Sequence, residues 1–369
     1  GLGFILKKTD GGLEAAVPPW RNDIAGEADL VEEVLRVHGF ERIPSVPMAP
    51  ASALPQPTLT PEQRRHVLAR RVLAQRGLVE AVTLSFMPSD QARLFGGAAQ
   101  SVRLVNPISS ELDVMRPSIL PNLIAAAGRN ADRGVEDAVL FEVGPQYAGD
   151  GPGDQALVAA GVRAGNSGPR SWAAPPRPVD AFDVKADALA TLQTLGVNAG
   201  KLQVSPEAPQ WYHPGRSGSM KLGPHNVLAR FGEVHPRVLE AMDVKGPIAG
   251  FEVYLDNLPK AKARKSAAKP HLDLPPFHTV ERDFAFVVDD AVPAEDVLKA
   301  ARAADKELIV AASVFDVFSG GALKAGKKSL AVNITLQPTE KTLTDPEIEA
   351  VAAKVVAGVV KATGGKLRS

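Results

Sequence analysis

Between residues 277 and 369 the apolar positions switch cleanly between two periods. Residues 284–288 alternate as a strand does. Pro293 then opens a helix to about Ala304, with proline at a first-turn position where its missing N–H costs nothing. A β-rich run over 308–317 is interrupted at Gly320 and Gly321, and a further strand covers 329–336. A long helix begins near Asp345. Thr344 is its N-cap and Glu347, three residues on, completes a capping box. A short final strand is expected over 366–368. The order β-α-β-β-α-β is that of a ferredoxin-like fold, with both helices on one face of the sheet and the other face open.

Upstream the patterns are less regular. Residues 27–38 read as a helix ended by Gly39, with Leu30, Val34 and Val37 as an apolar stripe widened by Val31 and Leu35. A second amphipathic helix begins near residue 62, with Val67, Leu68, Val72 and Leu73 on its stripe, and strands are expected over 79–86 and 138–143. Two Pro/Ala-rich stretches separate these patterns, one from Ile43 to Pro61 and a basic one from Leu258 to Pro276. Repeated proline removes backbone donors and favours extended chain, so both read as connectors, the basic one alternatively as a brush for an RNA backbone. They divide the sequence into segments of about 1–47, 62–257 and 277–369.

Composition narrows the function classes. Lys+Arg and Asp+Glu are both 42, so any nucleic-acid contact must be local and not a property of the whole surface. Residues 1–50 carry a net charge of −3 and residues 259–369 a net of +3. There is no cysteine, which excludes disulfides, thiolate zinc sites and cysteine nucleophiles. No apolar run is long enough to span a membrane, and the expected location is cytoplasmic. The text opens on Gly1 in mid-pattern, which suggests a piece of a longer protein.

One constellation carries candidate chemistry. Asp29, Glu32 and Glu33 stand at i, i+3 and i+4 on the first helix, and Asp23 precedes it. Four converging carboxylates repel one another, and a hard divalent cation such as Mg²⁺ would relieve that. On spacing alone a solvated acidic face is the better reading, since acids favour helix starts and Arg36 offers Glu32 an i+4 partner.

The string VPPWRNDIAGEADLVEEVLRVHGFERIP closely resembles a signature of the phenylalanine–tRNA ligase β-subunit family, including Arg21, Ile24, Arg36 and Gly39. The resemblance implies that Asp23, Asp29, Glu32 and Glu33 bind Mg²⁺ at a site shared with an α subunit. It also implies a small winged-helix-like α/β segment at the start. NPISSELDVMRPSILPNL, residues 106–123, resembles the family's catalytic-like core, related to class II synthetases and built on an antiparallel sheet. Arg116 there could polarise a phosphate in an active site. No Arg-x-Glu accompanies it, and HPGRSGSMKLG places Arg216 in the wrong setting for adenine, so the expectation is a core without adenylate chemistry. His213 and His235 show no third partner. Arg64, Arg65, Arg70, Arg71 and Arg76 offer a basic helix face or a merely solvated one.

VERDFAFVV, the run from Ser313 to Asp345 and GGKLR resemble the family's anticodon-binding domain. That places Ala285, Phe318 and Ser329 against the anticodon. Apart from the resemblance, Lys324, Lys327 and Lys328 lie in a hairpin loop that could meet tRNA phosphates or be merely solvated, and Arg282 at the strand start is a further candidate. Phe318 stands where the family often has tyrosine; stacking survives that change and a phenol hydrogen bond does not. The expectation is therefore an α+β multidomain chain. Its role would be a non-catalytic β subunit in an assembly of two α and two β chains, which uses ATP to join phenylalanine to its tRNA. The family's editing and amino-terminal tRNA-binding domains would lie upstream of Gly1. The alternative is a stand-alone RNA-binding or scaffold protein built from the same modules.

Overall fold

The structure is a computed structural model that describes residues 2–49, 57–97, 99–259, 271–272, 274–321 and 323–368. The middles of both proline-rich connectors lie outside the described residues. The chain divides into two compact units, Gly1–Thr58 and Leu59–Ser369.

In the first unit, β1 (Ile5–Thr9) and β2 (Gly12–Ala16) form an antiparallel hairpin closed by the two-residue loop Asp10–Gly11. Helix α1 spans Glu27–His38. Gly39 ends it at φ +109°, a conformation that favours glycine, and donates its N–H to Leu35 O. Of the winged-helix-like segment expected from the sequence, the described residues hold this hairpin and one α-helix. The expected apolar stripe on α1 is not buried within the unit: Val31, Val34 and Val37 are exposed, and the buried residue of the helix is Glu33.

The second unit begins with α2 (Pro61–Gln75), capped reciprocally by Thr60 and Gln63. There follow β3 (Val79–Glu80), β4 (Phe86–Met87), α3 (Ser89–Leu94), β5 (Val114–Met115), α4 (Leu120–Ala131), β6 (Val139–Tyr147) and β7 (Gln155–Ala164). Then come α5 (Ala181–Thr194), β8 (Gln203–Ser205), β9 (Tyr212–Leu222), β10 (Asn226–Val234), α6 (Pro236–Ala241) and β11 (Ile248–Tyr254). Seven strands form one sheet in the order β3-β6-β7-β11-β10-β9-β8. Every pair is antiparallel except β3–β6.

Helices α2 and α5 cover one face through Leu73, Val184 and Leu192 against Phe141, Phe231 and Phe251. Helix α4 covers the other through Leu120, Leu123 and Ile124 against Ala160, Val162 and Ile248. Gly161 is required where β7 passes the Phe251 ring, since a Cβ there would lie 2.5 Å from it. The strand expected over 79–86 is split: Val79 and Glu80 pair with β6, and Phe86 belongs to β4, which pairs with β5. Between those pieces the apolar positions Val82 and Leu84 are exposed, so neither a neighbouring strand nor a core holds that stretch extended.

The last module matches the expected order: β12 (Val280–Asp289), α7 (Ala294–Ala304), β13 (Ile309–Ser319), β14 (Lys327–Leu336), α8 (Asp345–Thr363) and β15 (Lys366–Leu367). The sheet runs β13-β14-β12-β15, all antiparallel. Both helices pack on one face, where Phe286, Val288, Leu330, Val332 and Ile334 meet Val297, Ala301, Val351, Val355 and Val359.

The capping box of α8 forms as expected. Thr344 N–H and Oγ1 both donate to Glu347 Oε2, at 2.9 and 2.8 Å, and Lys341 Nζ lies 2.6 Å from Oε1. Lys341 foremost, then Thr344, holds the Glu347 carboxyl down to about 2 from 4.5. A carboxylate depressed in the folded state contributes stability that is full above its unfolded value and is lost as pH falls through the folded one. Glu347→Gln should therefore flatten the acid limb of the thermal-stability profile between about pH 4.5 and 2, most visibly at low salt. Circular dichroism melts across that range check it. An acid limb as steep as the wild type would remove Glu347 from the account.

Candidate nucleic-acid interface

The two-residue period of the last sheet sorts its side chains into faces. On β12, Phe284, Phe286 and Val288 point to the helices, so Ala285 and Val287 point away. Across the ladder Ala285 pairs with Ala331, and Val287 with Ser329. Ser329 pairs in turn with Phe318, and Ala331 with Asp316. Ala285, Ser329 and Phe318 thus share the open face, which no helix among the described residues covers. Phe318 is 43% exposed and its ring passes Gly321, whose φ of +60° turns the chain beside it. Ser329 is buried among its neighbours.

Four further candidates behave differently. Arg282 has the parity of Phe284, so it falls on the opposite, helix-covered face. It lines a small cavity with Ile348, Val351 and Val355, and pairs across the ladder with buried Ile334. Lys327 is 2.6 Å from Asp289, and Lys328 donates to Asp290 O at 2.7 Å. Lys324 is exposed at the β13–β14 turn and, among the described residues, makes no ion pair. Asp316, two residues before Phe318 and opposite Ala331, lies on the same open face.

In the first unit the four acids do not gather around an open space. No three histidines or acids among the described residues are grouped to hold a metal. Arg21 stands between two of them. Its Nε and Nη2 donate to the two oxygens of Asp23 at 3.0 and 2.6 Å, and its Nη1 to Glu33 Oε2 at 2.8 Å. Arg36 donates to the same Glu33 oxygen at 2.8 Å, so it pairs at i+3 and not with Glu32 as expected. These bonds, Arg21's first, hold the Glu33 carboxyl down to about 2. Arg21 likewise lowers Asp23.

Asp29 faces the helix start. Its Oδ2 accepts the N–H groups of Ala25 and Gly26, both at 2.8 Å, which lowers its pKa. Glu32 is exposed and acts on Arg36 only through its field. The donor set is all hard oxygen, which suits Mg²⁺ chemically. As arranged, however, a guanidinium fills the place of the cation between Asp23 and Glu33, so the residues do not fit a metal without exchange of that ion pair.

The middle sheet holds Arg116 in a closed setting. Nε donates to Pro145 O and Nη1 to Thr83 Oγ1, both at 2.9 Å, while Nη1 lies 2.8 Å from Glu142 Oε1. Thr83 Oγ1 donates to the other Glu142 oxygen at 2.6 Å. Arg116 is 1% exposed, and a Cβ on Gly144 would sit 2.7 Å from its Nη2. Next to it, buried Glu252 accepts from Ser118 Oγ at 2.8 Å, Gln146 Nε2 at 2.9 Å and Tyr212 Oη at 3.4 Å. Burial, foremost, raises the Tyr212 phenol well above its usual range. Arg116 pairs with Glu142 and Glu252 is held by neutral donors, and the buried Arg116 is closed to a phosphate.

The glycine-rich HPGRSGSMKLG lies within β9, where Arg216 pairs with Glu233 at 3.0 Å. His213 and His235 stack at 6.1 Å, and each Nδ1 accepts a backbone N–H, from Gly215 and Arg237. The expected basic face of α2 is largely consumed. Arg65 donates to Leu258 O and Pro259 O, Arg70 to Glu80 and Arg76 to Asp187; Arg64 and Arg71 remain exposed.

The family model described as phenylalanyl tRNA synthetase beta chain CLM domain matches residues 43–255. The chain belongs to the phenylalanyl tRNA synthetase beta chain family. Two further models agree with that membership: a tRNA synthetase B5 domain over 1–40 and a ferredoxin-fold anticodon binding domain over 275–368. Curated phenylalanine–tRNA ligase beta subunits match along the whole chain. That of Paramagnetospirillum magneticum is 57% identical over 367 residues, covering 100% of this chain and 46% of the relative. That of Rhodospirillum rubrum is 56% identical over 363 residues, covering 98% and 45%, and that of Mesorhizobium japonicum 51% over 371, covering 100% and 46%. The chain spans about half the length of these relatives. A pyrrolysyl-tRNA synthetase of Desulfitobacterium hafniense aligns with 52% of this chain and 66% of its own at 18% identity and a TM-score of 0.40, too distant to bear on the fold. No helix among the described residues is long and apolar enough to cross a membrane.

Proposed function

We propose that this chain is the non-catalytic part of a phenylalanine–tRNA ligase β subunit that packs on an α subunit and holds the tRNA anticodon on the open face of its last sheet. The observation that carries this reading is the register that brings Ala285, Ser329 and Phe318 onto one uncovered face, in a module matched by an anticodon-binding family model. An exposed ring takes a base by stacking, a small residue lets the base approach, and a hydroxyl reads its edge. Lys324 adds a cation for the backbone, with Lys327 and Lys328 available at the cost of their present partners.

The middle sheet is then a class II synthetase-like core, and the segments 1–47, 62–257 and 277–369 act as three domains. The closed Arg116 and Glu252 networks leave the use of ATP and phenylalanine to the α subunits, in an assembly of two α and two β chains working in the cytoplasm. A hard cation such as Mg²⁺, shared with the α subunit, would be held by Asp29 and Glu32, with Asp23 and Glu33 giving up Arg21 to it. Its chemistry there would be to neutralise carboxylates at a subunit junction.

Phe318→Ala should weaken tRNA binding by the assembled enzyme by about 1–3 kcal/mol, the usual worth of one stacked base. Filter binding at fixed moderate salt measures it. An unchanged dissociation constant would refute the proposed face. Aminoacylation by the chain without an α subunit would refute the non-catalytic reading.

A further inference from the structure

The edge strand β13 carries a second exposed aromatic. Phe315 is 59% exposed and lies at a break in the ladder between Val314 and Asp316. Val314 packs on the core under the helices, and Val317 pairs with buried Leu330. Asp316 pairs with open-face Ala331. Two residues, Phe315 and Asp316, therefore stand between two inward positions where a regular strand would place one. That is the geometry of a β-bulge, which re-aims a side chain at a sheet edge. Both residues of the bulge therefore stand on the side away from Val314 and Val317.

Asp316, opposite Ala331, lies two residue rises from Phe318, about 7 Å along the strand, and Phe315 adjoins it in the bulge. That is roughly twice the 3.4 Å rise between stacked bases of one strand. Two rings so spaced suit two neighbouring bases of an unpaired strand that are splayed apart, not stacked on one another. The face between the rings carries Asp316, Ala331 and Ser329, where a carboxylate and a hydroxyl can accept hydrogen bonds from base edges and the hydroxyl can donate one to them.

We propose that Phe315 is a second base-stacking platform, holding the nucleotide next to the one on Phe318. This rests on the reading of the open face as the tRNA site. The test uses the assembled α and β chains and an unmodified phenylalanine tRNA transcript at fixed ionic strength. Phe315→Leu keeps apolar bulk and removes the ring; it should raise Kd about 5- to 150-fold. Phe315→Trp should bind within about two-fold of wild type, and its added emission should be quenched by the transcript. A role in folding alone would not produce that quenching. Wild-type affinity for Phe315→Leu beside weakened binding by Phe318→Ala overturns this proposal and leaves the face intact. Wild-type affinity for both variants overturns the face itself. Should Phe315→Leu fail to assemble, unquenched emission from Phe315→Trp at saturating transcript overturns the platform.

Discussion

Arg116→Met should destabilise the second unit by about 3–5 kcal/mol, the cost of leaving one charge of a buried pair without its partner. Glu142, 5% exposed, would keep only Thr83, through two hydrogen bonds to one oxygen. The guanidinium also ties Pro145 O on β6 to Thr83 in the segment before β4, so its loss unlinks two stretches of chain. Urea denaturation followed by tryptophan fluorescence gives the shift. The double variant Arg116→Met with Glu142→Leu should recover much of it, because the stranded charge goes too. A double variant no more stable than the single would show that packing around Arg116, and not its charge, is what matters.

Asp187→Ala should cost about 2–4 kcal/mol by the same reasoning, reduced because water reaches one partner. Asp187 is fully buried on α5 and receives Arg163 of β7 at 2.6 and 3.0 Å and Arg76, just past α2, at 2.5 Å. Arg76 keeps 32% of its side chain in solvent and Arg163 only 15%, so Arg163 bears most of the penalty. Asp187→Asn, which preserves shape and acceptor, should lose less. Equal losses for Ala and Asn in thermal melts would assign the whole effect to charge.

These two networks mark the boundary of what the sequence could reveal. The limits of α1, the capping box of α8 and the element order of the last module rest on signals a few residues apart: a glycine stop, Thr344 with Glu347, a switch from period two to period 3.6. They were legible for that reason. The partners of Arg76 and Asp187 lie 111 residues apart, and nothing local announces them. The acidic motif falls between these cases. Its helix and spacing are readable, but nothing in the spacing announces the bonds of Arg21 that decide how Asp23 and Glu33 are held. The parity of Arg282 with Phe284 and Phe286, which puts it on the helix-covered face, is countable from the sequence in the same way.

The short strand β15 has a practical consequence for anyone handling the protein. It pairs with β12 at Phe286 and Val287, and the N–H of Arg368 donates to Ala285 O at 2.7 Å. Those partners are the backbone of the strand that displays Ala285. Trimming back to Gly365 would turn β12 into a free edge, open to pairing with another molecule. A purification tag fused directly after Arg368 would crowd the same place. Preparations that differ only at this end would then differ in aggregation and in RNA affinity, and a spacer between Arg368 and any fusion should make them agree.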